Sequence, residues 1–559
     1  MNIYRTIIIL LLSITNALGQ ATAEIDKLFE NWDSKDKPGI AVGIIHQDKV
    51  IYSKGFGLAN LETHIPITPS TEFMVAEMSK HFTAFAVLLL EEQGKLSLNE
   101  DIRKYVNYLP EFNETITIGN LLNLSNGLPD LESLALIAGW GNHGMLTHRE
   151  AQEIISKLNQ LDFIPGEAFS YYSPSFTILS DIVAAVSGKS FEDFTKNNIF
   201  VPLEMRNTSF SDYHGRIIAK RAIPYRSVDG EFMVSDPHVT SQGAMNLYTS
   251  IGDLCKWELN LITPKIGSVA LVQKLNTPIS LKSGKLFSPT FGTVTQGHQL
   301  IHKERGISKI YQTGVIGGYA SSVFKFPAQD FTVIVLSNDG MPYNGYLGMQ
   351  ASYLFLEDKF LEPATIDFSK LDSKKLKKET LEGYCGNYWN EFSGNSRSIK
   401  LLNDTLRYVN GSGNGMAMIP LSNSKFQVMR DGDDRFIIEF KNNGQKKIME
   451  YSIGDSDKSV LKAYKPVTYT TRELKAYEGT FHNSLLNISY HFVVEDNKLV
   501  AKKIKTKDIQ FTPVSVDQFE GSEWFFGNVN FERDCENQIA GFNLSFDGVK
   551  NLGFVKIYE

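Results

Sequence analysis

Cysteine is scarce: 559 residues contain three, Cys255, Cys385 and Cys535. They are odd in number and far apart, so they define no disulfide framework, and no Cys/His spacing marks structural zinc. The eleven histidines form no HExxH pair. Neither a metal nor an organic cofactor is expected. Basic runs with interleaved aromatics are also missing. With 56 basic against 63 acidic residues the net charge is -7, which disfavours nucleic acid as a partner. The local cluster Lys374, Lys375, Lys377, Lys378 reads as a solvated helix face or linker. No apolar run reaches the roughly 20 residues that a membrane span needs.

What the chain does have begins with a secretory pattern. Arg5 precedes the apolar stretch Ile7 to Ile14, and Ala17-Leu18-Gly19 offers small residues for cleavage. Residues 1–19 are expected to be a signal peptide, with the mature chain starting at Gln20 and lying outside the cytoplasm, secreted or periplasmic. Residues 20–362 read as one α/β domain. Ala41–His46 and Val50–Lys54 flank Gln47-Asp48-Lys49 as a hairpin. Met78 to Gln93 reads as a helix that stops at Gly94 and is apolar nearly all round, so it belongs in the middle of a core. Strands are expected at Ser321–Phe326 and Phe331–Leu336, and a helix from Tyr346 to Phe360.

After a linker at 363–378 the texture changes to short alternating strands with Asn, Gly and Asp turns. Leu381-Glu-Gly-Tyr384-Cys-Gly386-Asn-Tyr388 matches Leu474-Lys-Ala-Tyr477-Glu-Gly479-Thr-Phe481 at an offset of 93 residues. The repeat predicts two small antiparallel β domains, 379–468 and 469–559, each a barrel or a sandwich.

The first domain carries Pro38-Gly39-Ile40-Ala41-Val42, Gly55-Phe56-Gly57-Leu58, Ser79-Lys80-His81-Phe82-Thr83, Glu92-Gln93-Gly94-Lys95-Leu96 and Pro165-Gly166-Glu167-Ala168-Phe169. In these stretches it resembles the serine β-lactamase and penicillin-binding-protein superfamily. The resemblance implies an antiparallel sheet flanked by helices, plus a helical region. It also implies an S-x-x-K nucleophile motif, a Y-x-N motif and a K-T-G or H-x-G strand. Here the first reads Glu77-Met78-Ser79-Lys80: the lysine is present and glutamate stands where the serine is expected. A spacing of three places both groups on one helix face, whereas Ser79 falls on another. The second reads Tyr171-Tyr172-Ser173, and the third Gln312-Thr313-Gly314, with Val315 next.

By that resemblance Glu77, Lys80 and Tyr171 are the candidate catalytic positions. Ser173, Gln312, Thr313, Gly314 and Val315 are the candidate substrate-binding positions, and the Glu77 and Val315 amides correspond to an oxyanion hole. Glu77 and Lys80 are expected to form an ion pair that keeps Lys80 protonated. Carboxylate attack on an ester or amide gives a high-energy anhydride, and loss of a nucleophile costs on the order of 10⁶ in turnover. Two classes of function follow. One is a non-hydrolytic binding or regulatory protein that keeps the cleft for a small-molecule, peptide or cell-wall-derived ligand. The other is an enzyme, using Glu77, Lys80 and Tyr171 as acid and base in isomerisation, elimination or cyclisation, or hydrolysing an ester, peptide or β-lactam-like substrate through another serine such as Ser173.

Overall fold

The computed structural model describes residues 23–139, 146–171, 174–211, 215–235, 237, 241–289, 292–340, 344–361, 375–410, 415–430, 435–444, 446–454, 456–503, 506–546 and 548–558. The expected signal segment, Ser173 and most of the expected linker lie outside the described residues.

Ile40–His46 and Lys49–Phe56 form the hairpin, with Gln47 and Asp48 at φ 51° and 60° in its turn. The hairpin completes an antiparallel sheet of seven strands, in the order Thr293–Val294, Leu300–Glu304, Ile307–Ile316, Tyr319–Phe326, Phe331–Ser337, Ile40–His46, Lys49–Phe56. Phe331–Ser337 is buried throughout because helices cover both faces of the sheet. Val333 and Val335 pack with Leu347 and Ala351 of the helix Asn344–Leu356, while Ile334 and Leu336 join Leu254 and Cys255 of the helix Ile251–Ile262. Gly43 belongs to this second face, where an added Cβ would lie 2.8 Å from Cys255 Sγ.

The apolar helix runs Ser79–Glu92, ending just before Gly94 at φ 67°. Every residue from Ser79 to Leu90 is buried, as the continuous apolar run from Ala84 to Leu90 requires. Trp257 packs against it, with its ring centroid 4.4 Å from Phe82 and 5.0 Å from Phe85.

The C-terminal half folds as two closed antiparallel barrels of eight strands each, so the barrel alternative holds over the sandwich. The first runs from Gly386–Asn390 to Ser459–Tyr464, the second from Gly479–Asn483 to Val549–Ile557. Gly386 and Gly479 open equivalent strands 93 residues apart, at φ 138° and 139°. Their surroundings differ. The first barrel has its own apolar core, whereas the core of the second is continuous with that of the α/β domain. Tyr490 Oη donates to Ile137 O (2.8 Å), and Lys503 Nζ to Ala138 O (2.6 Å), at the C-terminal end of the helix Leu131–Ala138. The barrels also meet each other: the Ser396 amide donates to Glu520 Oε1 at 2.7 Å.

At the same docking surface the Lys550 amide donates to Asp162 Oδ1 at 3.1 Å. Burial raises the Asp162 carboxyl to about 7 from its ordinary 3.8; the Lys550 amide and charge oppose this. The folded chain therefore keeps a proton that the unfolded chain releases near pH 4. This contribution makes the fold less stable as pH rises from about 4 to 7, and the penalty is complete above 7. Asp162→Asn is expected to remove about 3 kcal/mol of that dependence between pH 4.5 and 8. Urea melts of both proteins at pH 4.5 and 8 measure it, and identical pH profiles would refute it. Among the described residues no helix is long and apolar enough to cross a membrane.

Candidate functional site

Position 77 is set by a tight turn between a strand and the buried helix. Glu72–Met74 pairs with Leu247–Ser250, and the Val75 amide continues the pairing to Leu247 O at 3.0 Å. Ala76 then takes φ 50°, an uncommon conformation for a residue with a side chain. Neighbours hold the turn: Ser321 Oγ donates to Val75 O (2.9 Å), and Gln312 Nε2 donates to Glu77 O (2.9 Å). Gly314 lets the strand come this close, since a Cβ there would lie 2.5 Å from Val75 O and 3.0 Å from the Glu77 nitrogen. Gly314→Ala is expected to push strand and turn apart and to destabilise the chain by about 1–3 kcal/mol. Denaturant melts test this; an unchanged midpoint would mean that the turn yields freely.

The Glu77 carboxylate does not point into open solvent. Its Oε2 accepts from the Val315 amide at 3.1 Å. Burial raises its pKa; Lys80, its own amide and the Val315 amide each pull it down, and Glu132 adds to the rise. The carboxylate thus occupies amide donors of the kind that stabilise an oxyanion.

The expected ion pair with Lys80 does not form. Instead, the Lys80 ammonium lies 4.2 Å from the centroid of the Tyr171 ring. Lys80 is only 4% exposed, and burial lowers its pKa although Glu77, Glu132 and Asp130 oppose this. The Lys80 pKa thus moves down and not up: the cost of desolvation outweighs the nearby negative charge. The Tyr171 hydroxyl is shifted up, first by burial and then by Glu77 and Glu132.

Ser79 is turned away from this cluster, as its helical offset predicts. It is fully buried, and its Oγ accepts from the Leu247 amide at 3.0 Å. Thr313, Gly314 and Val315 line the cleft together with Glu77 and Tyr171. Gln312 differs from its expected substrate-binding placement: it is 3% exposed, and its amide is spent on the Glu77 carbonyl. Alternation along the strand explains this, since residues 313 and 315 face the cleft and 312 faces inward.

Two acidic residues escaped the motif reading. Asp130 caps the helix Leu131–Ala138 by accepting from the Glu132 amide at 2.9 Å. It is 1% exposed, and burial raises its pKa strongly. Asp130 and Glu132 both act electrostatically on Lys80. Asp130 followed by Leu131 and Glu132 is a legible helix start, but nothing local says that this start faces Lys80. The Asp130 amide donates to Gly548 O in the second barrel at 2.6 Å, and Gly548 is among the cleft-lining residues.

The cleft has a volume of about 1680 Å³. One wall carries Glu77, Tyr171 and Val315; the opposite wall comes from the first barrel, through Trp389, Phe392 and Val460. The sheet, the buried helix entered through a tight turn and the cleft beside it define an α/β domain of the β-lactamase/transpeptidase type. The family model described as Beta-lactamase matches residues 25–348, and the chain belongs to that family. Protein flp of Staphylococcus aureus (strain N315) is 27% identical over 338 residues, covering 59% of this chain and 65% of that protein. A D-aminopeptidase of Gluconobacter oxydans (strain 621H) is 27% identical over 304 residues, covering 54% and 56%. The chain thus spans less than two thirds of the length of these relatives. The octameric penicillin-binding protein homologue from Pyrococcus abyssi has the same fold, with a TM-score of 0.54, 24% identity, and coverage of 79% of this chain and 99% of that one. The penicillin-binding protein from Bacillus halodurans superposes with a TM-score of 0.51 at 23% identity, covering 60% and 100%.

Proposed function

We propose that this chain is a non-hydrolytic member of the β-lactamase family, a binding or regulatory protein that keeps the cleft and has given up acyl transfer. The observation that carries the reading is the Glu77 carboxylate on the Val315 amide. A carboxylate there fills the position of a substrate carbonyl oxygen, and it cannot form a stable acyl intermediate. Secretion through the segment 1–19 belongs to the same proposal.

The raised Glu77 and lowered Lys80 favour a second reading. A carboxyl shifted up and an amine shifted down, with Tyr171 beside them, lie closer in proton affinity and can pass protons as acid and base. In this reading the cleft performs isomerisation, elimination or cyclisation without a covalent intermediate.

Incubation of the wild-type chain with a fluorophosphonate and with a fluorescent penicillin tests the first point. No adduct and no turnover of a chromogenic ester or β-lactam are expected. A covalent adduct on a serine hydroxyl of the unmodified protein would overturn it. Turnover of a metabolite that disappears in both Glu77→Gln and Tyr171→Phe would select the second reading.

A further inference from the structure

The cleft is a compound one, and its size and lining narrow what enters it. We infer that the space between the α/β domain and the first barrel is an acyl-chain subsite, taking a neutral amphiphile whose polar head lies at Glu77 and Val315. This rests on the reading that the cleft binds a ligand and adds the chemical class.

Three observations converge. First, about 1680 Å³ exceeds the roughly 300–1,000 Å³ typical of small-ligand sites, so the head group alone does not fill it. Second, both the α/β domain and the first barrel contribute aromatic and aliphatic side chains to the lining. Phe169 stacks on Phe287 at 4.5 Å, and Tyr311 stacks on Phe324 at 5.7 Å. Trp389 and Val460 face them from the barrel. Val460, 46% exposed on the barrel exterior, lines this space.

Third, each of the three lysines that line the cleft is paired with a carboxylate. Lys285 pairs with Asp457 at 3.0 Å and bridges the two domains. Lys462 pairs with Glu391 at 2.7 Å, and Lys458 with Glu450 at 3.4 Å. A phosphate or a free carboxylate would have to break one of these pairs, whereas a neutral amide or ester head leaves them intact. An aliphatic chain of ten or more carbons takes up the apolar volume and is held by burial of its methylenes.

Calorimetric titration of the full chain with N-dodecanoyl-glycinamide and N-acetyl-glycinamide tests the inference. The dodecanoyl probe is expected to bind roughly 100-fold tighter, a gain that scales with methylenes buried. Val460→Asp, at an exposed strand position and with its thermal midpoint recorded as the check on folding, is expected to weaken the long-chain probe at least about tenfold. Fluorophosphonate labelling of Glu77→Ser, measured in parallel, reports whether the head-group end is intact. Equal affinity for the two probes, no binding of the dodecanoyl probe, or full binding by Val460→Asp would each overturn the acyl subsite. Labelling of Glu77→Ser alongside any of these would leave the cleft reading standing.

Discussion

Replacing Glu77 by serine is expected to make the cleft reactive toward a fluorophosphonate, with a labelling rate at least about 100-fold above wild type, the lower range for an assisted nucleophile. Three features described above converge on this result. The turn that presents position 77 is held through backbone atoms, by Ser321 and Gln312, and needs nothing from the glutamate side chain. Removal of the carboxylate frees the Val315 amide to donate to an incoming oxygen. It also removes one of the negative charges that raise the Lys80 pKa, so a larger share of the amine is free of its proton and able to accept one. Lys80→Met in the Glu77→Ser background should abolish the labelling. If Glu77→Ser stays unlabelled while remaining folded, residue 77 alone does not decide reactivity toward the probe, and other positions of the cleft do.

Truncation of Trp257 to alanine is expected to cost about 3–5 kcal/mol, the range for large aromatic residues removed from a core. Trp257 is 1% exposed and touches three successive positions of helical pattern, His81, Phe82 and Phe85. These lie on the far side of the helix that carries Lys80. The hole left behind is bounded by the helix and the sheet, neither of which can collapse without disturbing the other. Denaturant midpoints read the loss, and a shift below about 1 kcal/mol would mean that the helix is held chiefly by its other neighbours.

Much of this architecture could be read from residue patterns. The hairpin at 40–56, the buried helix at 79–92 and the duplicated barrels each announce themselves through local periodicity and turn residues, which act over a few positions. Position 77 was legible because it breaks a motif of fixed spacing. The surroundings of Lys80 were not. Asp130 and Glu132 reach it from 50 residues away, and their effect is outweighed by desolvation, a property of the assembled core that no spacing encodes. The direction of Gln312 was missed for a related reason: a motif names a position, whereas strand alternation decides which face it serves. The wall supplied by Trp389 and Val460 is a docking of two domains, which a pattern within either one does not reveal.

The shared core of the second barrel and the α/β domain has a practical meaning for anyone who shortens this protein. The helix Leu131–Ala138 ends on Tyr490 and Lys503, and its cap contacts Gly548. A fragment stopped before residue 375 would leave that helix bare along an oily flank and strip one side from the cleft. Such a piece should clump on expression, and low solubility there would reflect a severed fold, with no bearing on what the intact chain binds.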